Sequence, residues 1–324
     1  MRALLGDIGG TNARFCLADL DRQEVSDVRI YPSCVDPSFE DAVRRYLTDV
    51  DAGDIDAMVV AAGGPQFLGT IDLTNVKQGG HDWRIAEADF PSLCGASARN
   101  CLLMNDFEGL AYAVPSLRAT DWRKLGDGPD TPLETATIAL IGPGTGLGVA
   151  GLLPARGDTP ERAIAGEGGH ITFAAETERE WQIISHMRDQ FGHVSAERLA
   201  SGLGLVDSYR TICALDGVTA ELPDGQAIAL SDKPQAQEAV ALFATALGAA
   251  AGSIALSLGA TGGVYVAGGI LPKWGDRFRD DLFRARFDAK GRFEPYMKLI
   301  PTRLVTAELP AFTGLMRVAA QFSR

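Results

Sequence analysis

The stretch that decides the fold is Leu4–Ala18, LLGDIGGTNARFCLA. Apolar residues enter, two adjacent glycines follow, and apolar residues leave, which is the pattern of two strands joined by a tight glycine turn that needs positive φ. Its tip carries Asp7, Thr11 and Asn12 on a backbone that the glycines leave uncovered. Such a loop can hold an anion through its N–H groups while the carboxylate meets a cation. An ordinary glycine hairpin is the alternative, and both remain open for this stretch alone.

Length and charge narrow the class of protein. At ~100–200 residues per domain, the 324 residues predict two domains. The net charge of −12 argues against a general nucleic-acid surface. The five cysteines are scattered, odd in number and without a C-x-x-C pair. Disulfides and a cysteine zinc site are therefore not expected, and a reducing cytoplasm fits best.

An uncharged stretch between Glu238 and Lys273 raises the question of a membrane. Its Gly248–Gly252 segment, GAAAG, has the small-residue spacing of membrane helix pairs. The stretch is rich in Ala, Gly and Ser rather than Leu and Ile, and it lacks basic flanks. It therefore favours a buried helix over 235–258, and no membrane partner is expected.

A second glycine stretch lies near the middle of the chain. The apolar run 135–141 leads into Gly142–Gly148, GPGTGLG, and an apolar strand is predicted to leave it. The spacing does not fit G-x-G-x-x-G, and no Gly-Lys dipeptide occurs, so neither a dinucleotide fingerprint nor a Walker A loop is present. Backbone N–H groups and a Thr hydroxyl would have to hold any phosphate, and a plain hairpin is the alternative. The likeness to Ile8–Thr11 suggests two related α/β halves.

Two further clusters carry possible chemistry. Asn105-Asp106 follows a buried strand, where a carboxylate can take the proton of an attacking hydroxyl; a helix N-cap is the alternative. Glu167 and His170 flank two glycines and can hydrogen-bond the hydroxyls of a polyol. They could also bind a metal, but no second His or Cys cluster supports zinc.

Periodicity and turn residues predict further elements. Helices are expected over 39–49, 85–93, 177–190, 205–215 and 310–322, a helix that Ser195 caps over 195–199, strands over 57–62, 101–104 and 302–305, and a surface excursion over 119–132.

The motifs occur together in the order seen in bacterial glucokinases, which the chain therefore resembles. They are DIGGTN from Asp7, LTN from Leu73, NDF from Asn105, GPGTGLG from Gly142, GEGGH from Gly166, SAE from Ser195, SGLGL from Ser201, Gly268-Gly269 and KGRF from Lys290. The resemblance implies an α/β fold of two actin-like (ribonuclease H-like) domains with a cleft between them. It implies a small domain of residues 1–106 plus 306–324 and a large one of 107–305. The cysteine-rich zinc motif of the related repressor and kinase group is absent, which favours the zinc-free branch.

The resemblance also implies roles for individual residues. The first phosphate loop would consist of Asp7, Gly9, Gly10, Thr11 and Asn12, with Asp7 near Mg²⁺ through water, and the second of Gly144, Thr145 and Gly146. The adenosine-side turn would be Gly268 and Gly269, and the catalytic base would be Asp106. Glucose would be bound by Asn105, Glu167, His170 and Glu197.

The implied reaction is phosphorylation of D-glucose by Mg·ATP to glucose 6-phosphate and ADP, in a cytoplasmic homodimer. The rivals are a kinase for another hexose such as fructose or mannose, a sugar-sensing regulator on the same fold, and a catalytically dead sugar-binding protein. The segment 76–82 before Trp83 departs from the family pattern at the edge of the sugar site.

Overall fold

The computed structural model describes residues 1–33, 35–73, 83–130 and 135–323. Contacts divide the chain into two compact units. Unit 1 is Met1–Leu117 with Ala307–Arg324, and unit 2 is Arg118–Thr306.

Thirteen strands and eleven α-helices lie within the described residues. The strands are β1 (Arg2–Ile8), β2 (Asn12–Asp19), β3 (Glu24–Pro32), β4 (Ala57–Ala62), β5 (Thr70–Leu73), β6 (Trp83–Ala86), β7 (Cys101–Asn105), β8 (Trp122–Lys124), β9 (Ile138–Pro143), β10 (Leu147–Leu153), β11 (Arg162–Gly166), β12 (Val264–Val266) and β13 (Thr302–Val305). The helices are α1 (Phe39–Asp49), α2 (Phe90–Cys94), α3 (Asp106–Ala113), α4 (Glu178–Phe191), α5 (Gly202–Leu215), α6 (Gly225–Ala229), α7 (Pro234–Leu258), α8 (Leu271–Trp274), α9 (Asp280–Asp288), α10 (Glu294–Met297) and α11 (Pro310–Ala319).

Unit 1 is built on a five-stranded sheet with the order β3-β2-β1-β4-β7. β1, β2 and β3 are antiparallel neighbours, whereas β4 and β7 continue the sheet parallel to β1. Every residue of β4 is buried, which is why this strand is a continuous apolar run rather than an alternating one. Apolar cores cover both faces of the sheet, one including α1 and the other including α11.

Unit 2 repeats this topology. Its six-stranded sheet has the order β11-β10-β9-β12-β13-β8, in which β9, β10 and β11 are antiparallel and β12 and β13 run parallel to β9. The short strand β8 adds antiparallel to β13 at the edge. Without β8, both sheets have the same order and the same strand directions. The two glycine stretches therefore join the first two strands of equivalent sheets, which confirms the predicted relation between the two halves.

Helix α3 belongs to unit 1. It begins at Asp106 and packs closely on α11: a Cβ atom added to Gly314 would lie 1.9 Å from the carbonyl oxygen of Gly109. Residues 107–117 consequently group with unit 1, and the domain bounds that the family resemblance implies stay a prediction.

Helix α7 is the long apolar helix predicted from the uncharged stretch. By length and composition it could cross a membrane, but 72% of its most apolar window is buried within the protein. Its glycines let α9 approach, since a Cβ atom on Gly248 would lie 2.2 Å from the carbonyl oxygen of Phe283. The buried helix is therefore the correct alternative.

Three sequence predictions are wrong in whole or in part. Ser195 accepts the N–H of Arg198 at 3.4 Å, as a cap would, but only turns follow, and the next helix begins at Gly202 with Ser201 as its N-cap. The predicted helix over 85–93 begins as strand β6, forms a 3₁₀ helix at Glu87–Asp89 and continues as α2 from Phe90. The predicted surface excursion over 119–132 contains β8, which pairs with β13. A strand of three residues is too short for sequence periodicity to reveal it.

The close contact between α7 and α9 predicts the effect of Gly248→Ala. The added methyl group must displace the backbone of α9, so we expect the free energy of unfolding to fall by about 1–3 kcal/mol, although alanine favours a helix more than glycine does. Denaturant unfolding measures this. The control is Gly166→Ala, because an added Cβ there has no heavy atom within 4 Å and φ is not positive. Equal stability of the two variants would contradict the packing argument.

Candidate active site

The first glycine loop joins β1 to β2 in unit 1. The N–H of Gly9 donates to the carbonyl oxygen of Asn12 at 2.9 Å and closes the turn. Ser33 braces it, because its hydroxyl donates to the carbonyl oxygen of Gly9 at 2.7 Å and its N–H to that of Thr11 at 3.0 Å. Gly9 does not have a positive φ, so the prediction that the turn needs left-handed backbone is wrong for this residue. What glycine provides here is an uncovered backbone.

Asp7 lies beside this loop and is paired with an arginine. Residues 7 and 14 are opposite each other in the β1–β2 ladder, and Arg14 Nη1 donates to Asp7 Oδ2 at 2.8 Å. Burial raises the pKa of the Asp7 carboxyl, and Arg14 opposes the rise. Arg14 is a site residue that the sequence reasoning missed; its position opposite Asp7 in a predicted hairpin was the available signal.

The candidate base lies on the same edge of the sheet. β1, β4 and β7 are parallel, and their last residues are in register, Ile8 with Ala62 and Ala62 with Asn105. Two strand spacings of ~4.8 Å separate β1 from β7, so the first loop begins about 10 Å from Asp106. The topology of unit 1 thus brings the predicted first phosphate loop and the predicted base to one edge.

Asn105, and not Asp106, is the N-cap of α3. The Asn105 side chain accepts the N–H of Phe107 at 2.8 Å, and the N–H of Asn105 donates to Glu108 Oε2 at 3.0 Å. Asp106 Oδ1 also accepts the N–H of Phe107, at 3.0 Å, so both side chains contact the first turn although Asn105 occupies the N-cap position. Asp106 is half-buried in the first turn, where the partial positive charge of the helix N-terminus favours a carboxylate.

Gly63 and Gly64 support this arrangement and were not predicted as site residues. Gly63 follows β4, donates its N–H to Ile8 at 3.0 Å, and faces Asp106 so closely that an added Cβ would lie 3.5 Å from Asp106 Oδ2. Gly64 has φ +121 and accepts from the Asn105 amide at 2.9 Å. A glycine pair after a buried strand in each half of the sequence was the available signal.

The second glycine loop joins β9 to β10 in unit 2. The N–H of Gly144 donates to the carbonyl oxygen of Gly146 at 2.8 Å, and Thr145 at the tip is exposed. The first turn of α5 abuts the loop, because the N–H of Gly202 donates to the carbonyl oxygen of Gly144 at 2.9 Å. A helix N-terminus is favourable for an anion, and its presence beside this loop was not predicted.

Gly268 and Gly269 follow β12, next to this loop. Gly268 has φ +108, and a Cβ there would lie 2.6 Å from the carbonyl oxygen of Pro143, so the position requires glycine on both grounds. An added Cβ at Gly269 would have no heavy atom within 4 Å. The predicted adenosine-side turn and the predicted second phosphate loop thus share one edge of the unit 2 sheet.

The predicted sugar-binding residues of unit 2 also lie together. His170 donates its N–H to the carbonyl oxygen of Glu167 at 3.0 Å, and Glu197 donates its N–H to Gly169 at 2.9 Å. The His170 Nδ1 and Glu197 Oε1 atoms are 4.0 Å apart. The side chains of Glu167 and His170 are exposed, as groups that bind a polyol from solvent must be.

Some predicted elements of the site are not described. Thr74 and Asn75 of the LTN motif and the unusual segment 76–82 lie outside the described residues. Within the described residues, no group of three or more His, Cys, Asp or Glu side chains could by itself hold a metal ion.

Together the repeated sheets and their glycine turns define a protein of the actin-like two-domain α/β class. The Glucokinase family model matches residues 4–322. The glucokinase of Paramagnetospirillum magneticum is 41% identical over 96% of this chain and 95% of its own length. The crystal structure of a glucokinase from an Antarctic psychrotroph is 31% identical and superposes with a TM-score of 0.82, covering 99% of both chains. The chain belongs to the glucokinase family, as the sequence motifs predict.

A further relative is organised differently. The bifunctional protein glk of Burkholderia thailandensis is 41% identical over 98% of this chain but only 48% of its own length. The chain thus spans about half the length of the bifunctional relatives that it matches.

The raised pKa of Asp7 predicts a pH dependence of stability. A carboxyl whose pKa is higher in the folded state than in the unfolded state lowers stability as pH rises through that range. Asp7→Asn removes this titrating carboxyl and with it the loss of stability. We therefore expect the melting temperature of the variant minus that of the wild type to increase from pH 3 to pH 7. The measurement is made without divalent ions. Asp281→Asn is the control with the opposite sign, because Arg279 lowers the pKa of Asp281. If the melting-temperature difference for Asp7→Asn instead fell as pH rises, the raised pKa of Asp7 would be contradicted.

Proposed function

We propose that this chain catalyses the ATP-dependent phosphorylation of D-glucose at its 6-hydroxyl, giving glucose 6-phosphate and ADP. Family membership supports the reaction class. The observation that carries the proposal is the placement of Asp106 directly after β7: its Oδ1 accepts the N–H of Phe107 at 3.0 Å, and its Oδ2 faces Gly63. A half-buried carboxylate that the helix N-terminus holds in place at a strand end suits a general base.

In the proposed reaction Asp106 accepts the proton of the sugar 6-hydroxyl as its oxygen attacks the γ-phosphorus. The bond to the β–γ bridging oxygen breaks and ADP leaves. Transfer of a phosphoryl group requires little covalent help from the protein; it requires positioning, charge stabilisation and a base. Gly63 has no side chain to contact the Asp106 carboxylate, since an added Cβ would lie 3.5 Å from Oδ2.

The glycine loops are the proposed phosphate-binding elements. The first offers the uncovered backbone of Gly9 to Asn12, and the second offers the exposed Thr145 with the N-terminus of α5 behind it. Backbone N–H groups and helix N-termini bind phosphate without a lysine. Gly268 and Gly269 are proposed to accept the adenosine side, where the open face of Gly269 leaves room.

ATP and Mg²⁺ are the proposed cosubstrate and cofactor. Proteins usually hold Mg²⁺ with one or two carboxylates, water and the substrate phosphates rather than with an all-protein cage. A single carboxylate at the phosphate loop fits that mode, and Asp7 is proposed to hold the ion through water. When bound, the ion would neutralise charge that develops on the phosphates.

Glucose is proposed to be bound by Asn105, Glu167, His170 and Glu197. Carboxylates and an imidazole can accept or donate hydrogen bonds to sugar hydroxyls. Both polar atoms of the Asn105 side chain already have partners, in Gly64 and Phe107, so Asn105 contributes to the sugar site mainly by fixing the end of β7. A homodimer and a cytoplasmic location remain predictions from the family resemblance.

The base assignment predicts that Asp106→Ala lowers kcat by about 10²–10⁴-fold, the usual contribution of general-base catalysis. The affinity for ATP should change little, because the phosphate loops are intact. A coupled assay of ADP release with glucose measures kcat, and calorimetry measures nucleotide binding. Asp72→Asn, an exposed carboxylate on β5, is the control and should keep wild-type turnover. Near-normal kcat in Asp106→Ala would refute the role.

The metal assignment predicts that Asp7→Asn raises the Mg²⁺ concentration needed for half-maximal turnover, because the variant lacks the carboxylate charge. A titration of initial rate against free Mg²⁺ at saturating ATP and glucose measures this. Asp56→Asn serves as the control, since Asp56 directly precedes β4 and accepts the N–H of Arg2, at the end of β1 away from the phosphate loop. If Asp7→Asn and the wild type gave the same titration curve, the assignment of Asp7 would be wrong.

A further inference from the structure

Glu197 contacts both the predicted sugar-binding residues and the second phosphate loop. Its Oε2 atom accepts the backbone N–H of Leu147, the residue that ends the loop, at 2.8 Å. Its Oε1 atom lies 4.0 Å from His170 Nδ1. The side chain is 27% exposed, so the carboxylate is largely enclosed yet can be reached from solvent. One carboxylate thus spans the two groups of residues.

Gly146 shows that the loop is shaped around this carboxylate. An added Cβ at Gly146 would lie 2.4 Å from Glu197 Oε2, a distance that real Cβ atoms do not adopt. At Gly144, two residues earlier, an added Cβ would have only the carbonyl oxygen of Gly146 nearby, at 4.0 Å. Neither glycine has a positive φ. Gly146, the second glycine of the GTG segment, therefore makes room for the Glu197 carboxylate, and its backbone conformation does not demand glycine.

Backbone hydrogen bonds also connect the segment that carries Glu197 to the predicted sugar-binding segment. Residues 194–197 run beside 169–173: Glu197 donates to Gly169 at 2.9 Å, and Phe173 donates to Val194 at 3.0 Å. Gly169 in turn lies against the loop, because an added Cβ would be 2.0 Å from the carbonyl oxygen of Leu147. The sugar-binding segment and the phosphate loop are thus packed backbone to backbone within unit 2.

We propose that Glu197 is a positioning residue that holds the second phosphate loop and thereby couples sugar binding to nucleotide binding. This inference rests on the proposed function. A carboxylate that accepts Leu147 N–H fixes the end of the loop, and a sugar hydroxyl that donates to the same carboxylate changes its charge distribution and its freedom to move. Glucose should therefore alter the affinity of the loop for phosphate, and the nucleotide should alter the affinity for glucose by the same factor.

The alternative is that Glu197 only binds sugar, as its neighbour Glu167 does. The two roles differ in one measurable quantity, the ratio of nucleotide affinities with and without glucose. Within the described residues, Glu167 has no hydrogen bond to the loop, so replacing it should weaken glucose binding without changing that ratio. Glu167→Gln is consequently the matched control.

The test is calorimetric titration of the ATP analogue AMPPNP, with Mg²⁺ present, in the absence of sugar and at saturating glucose. We expect glucose to change the Kd of the wild type by at least about 5-fold, the lower end of typical coupling. Glu167→Gln should keep that ratio once glucose is raised to saturation. Glu197→Ala should bring the ratio close to one. Glu197→Gln should restore part of it, because the amide oxygen can still accept the N–H of Leu147.

Gly146→Ala provides a second, independent perturbation. It keeps the carboxylate but forces Oε2 away from Leu147, so the ratio should again approach one. This variant decides the matter if Glu197→Ala does not fold, which circular dichroism shows. A wild-type ratio of one, or an unchanged ratio in Glu197→Ala or in Gly146→Ala, overturns the inference. These outcomes are independent of turnover: failure of the wild type to form ADP with glucose would instead overturn the proposed function.

Discussion

The parallel pairing of strands in each unit is the constraint on which the site depends. β1, β4 and β7 end side by side in unit 1, as β9, β12 and β13 do in unit 2. Side chains and turns that are far apart in the chain therefore meet at one edge of each sheet. The first loop and Asp106 come together in this way, and so do the second loop and Gly268.

The proposed phosphate grip achieves its charge complementarity without a lysine. The net charge is −12, and no Gly-Lys dipeptide follows either loop. In this proposal backbone N–H groups and the first turn of α5 would supply the positive potential, since Arg14 is paired with Asp7. Carboxylates lie close to both loops, Asp7 at the first and Glu197 at the second. Each is held by a donor of the protein, an arginine in one case and a backbone N–H in the other.

Sequence reasoning predicts much of this fold because its strongest signals are local. The fully buried run of β4, the helix at 39–49 and the long apolar helix α7 can be derived from periodicity and composition. The edge strand β8 could not, since its three residues owe their conformation to β13. The turns at 195–199 could not either, because Ser195 carries a cap signal that pairing of the neighbouring residues with 169–173 overrides.

The order of the sequence motifs predicts which residues belong to the candidate site. What each glycine does there follows only from its contacts in the folded chain. Gly9 and Gly146 look alike in sequence, yet Gly9 leaves backbone uncovered and Gly146 makes room for the distant carboxylate of Glu197. The contacts of Asn105 likewise settle which residue caps α3, a question that the dipeptide Asn105-Asp106 leaves open. Long-range contacts of this kind have no signature in a single sequence.

The most direct test of the account is the identity and position of the phosphorylated product. Phosphorus NMR of the wild-type reaction with ATP and a panel of hexoses, with kcat/KM determined for each, measures both. The account predicts glucose 6-phosphate with the highest kcat/KM for D-glucose. Phosphorylation of another hexose with higher kcat/KM, transfer to a different hydroxyl, or binding of glucose without any transfer would contradict it.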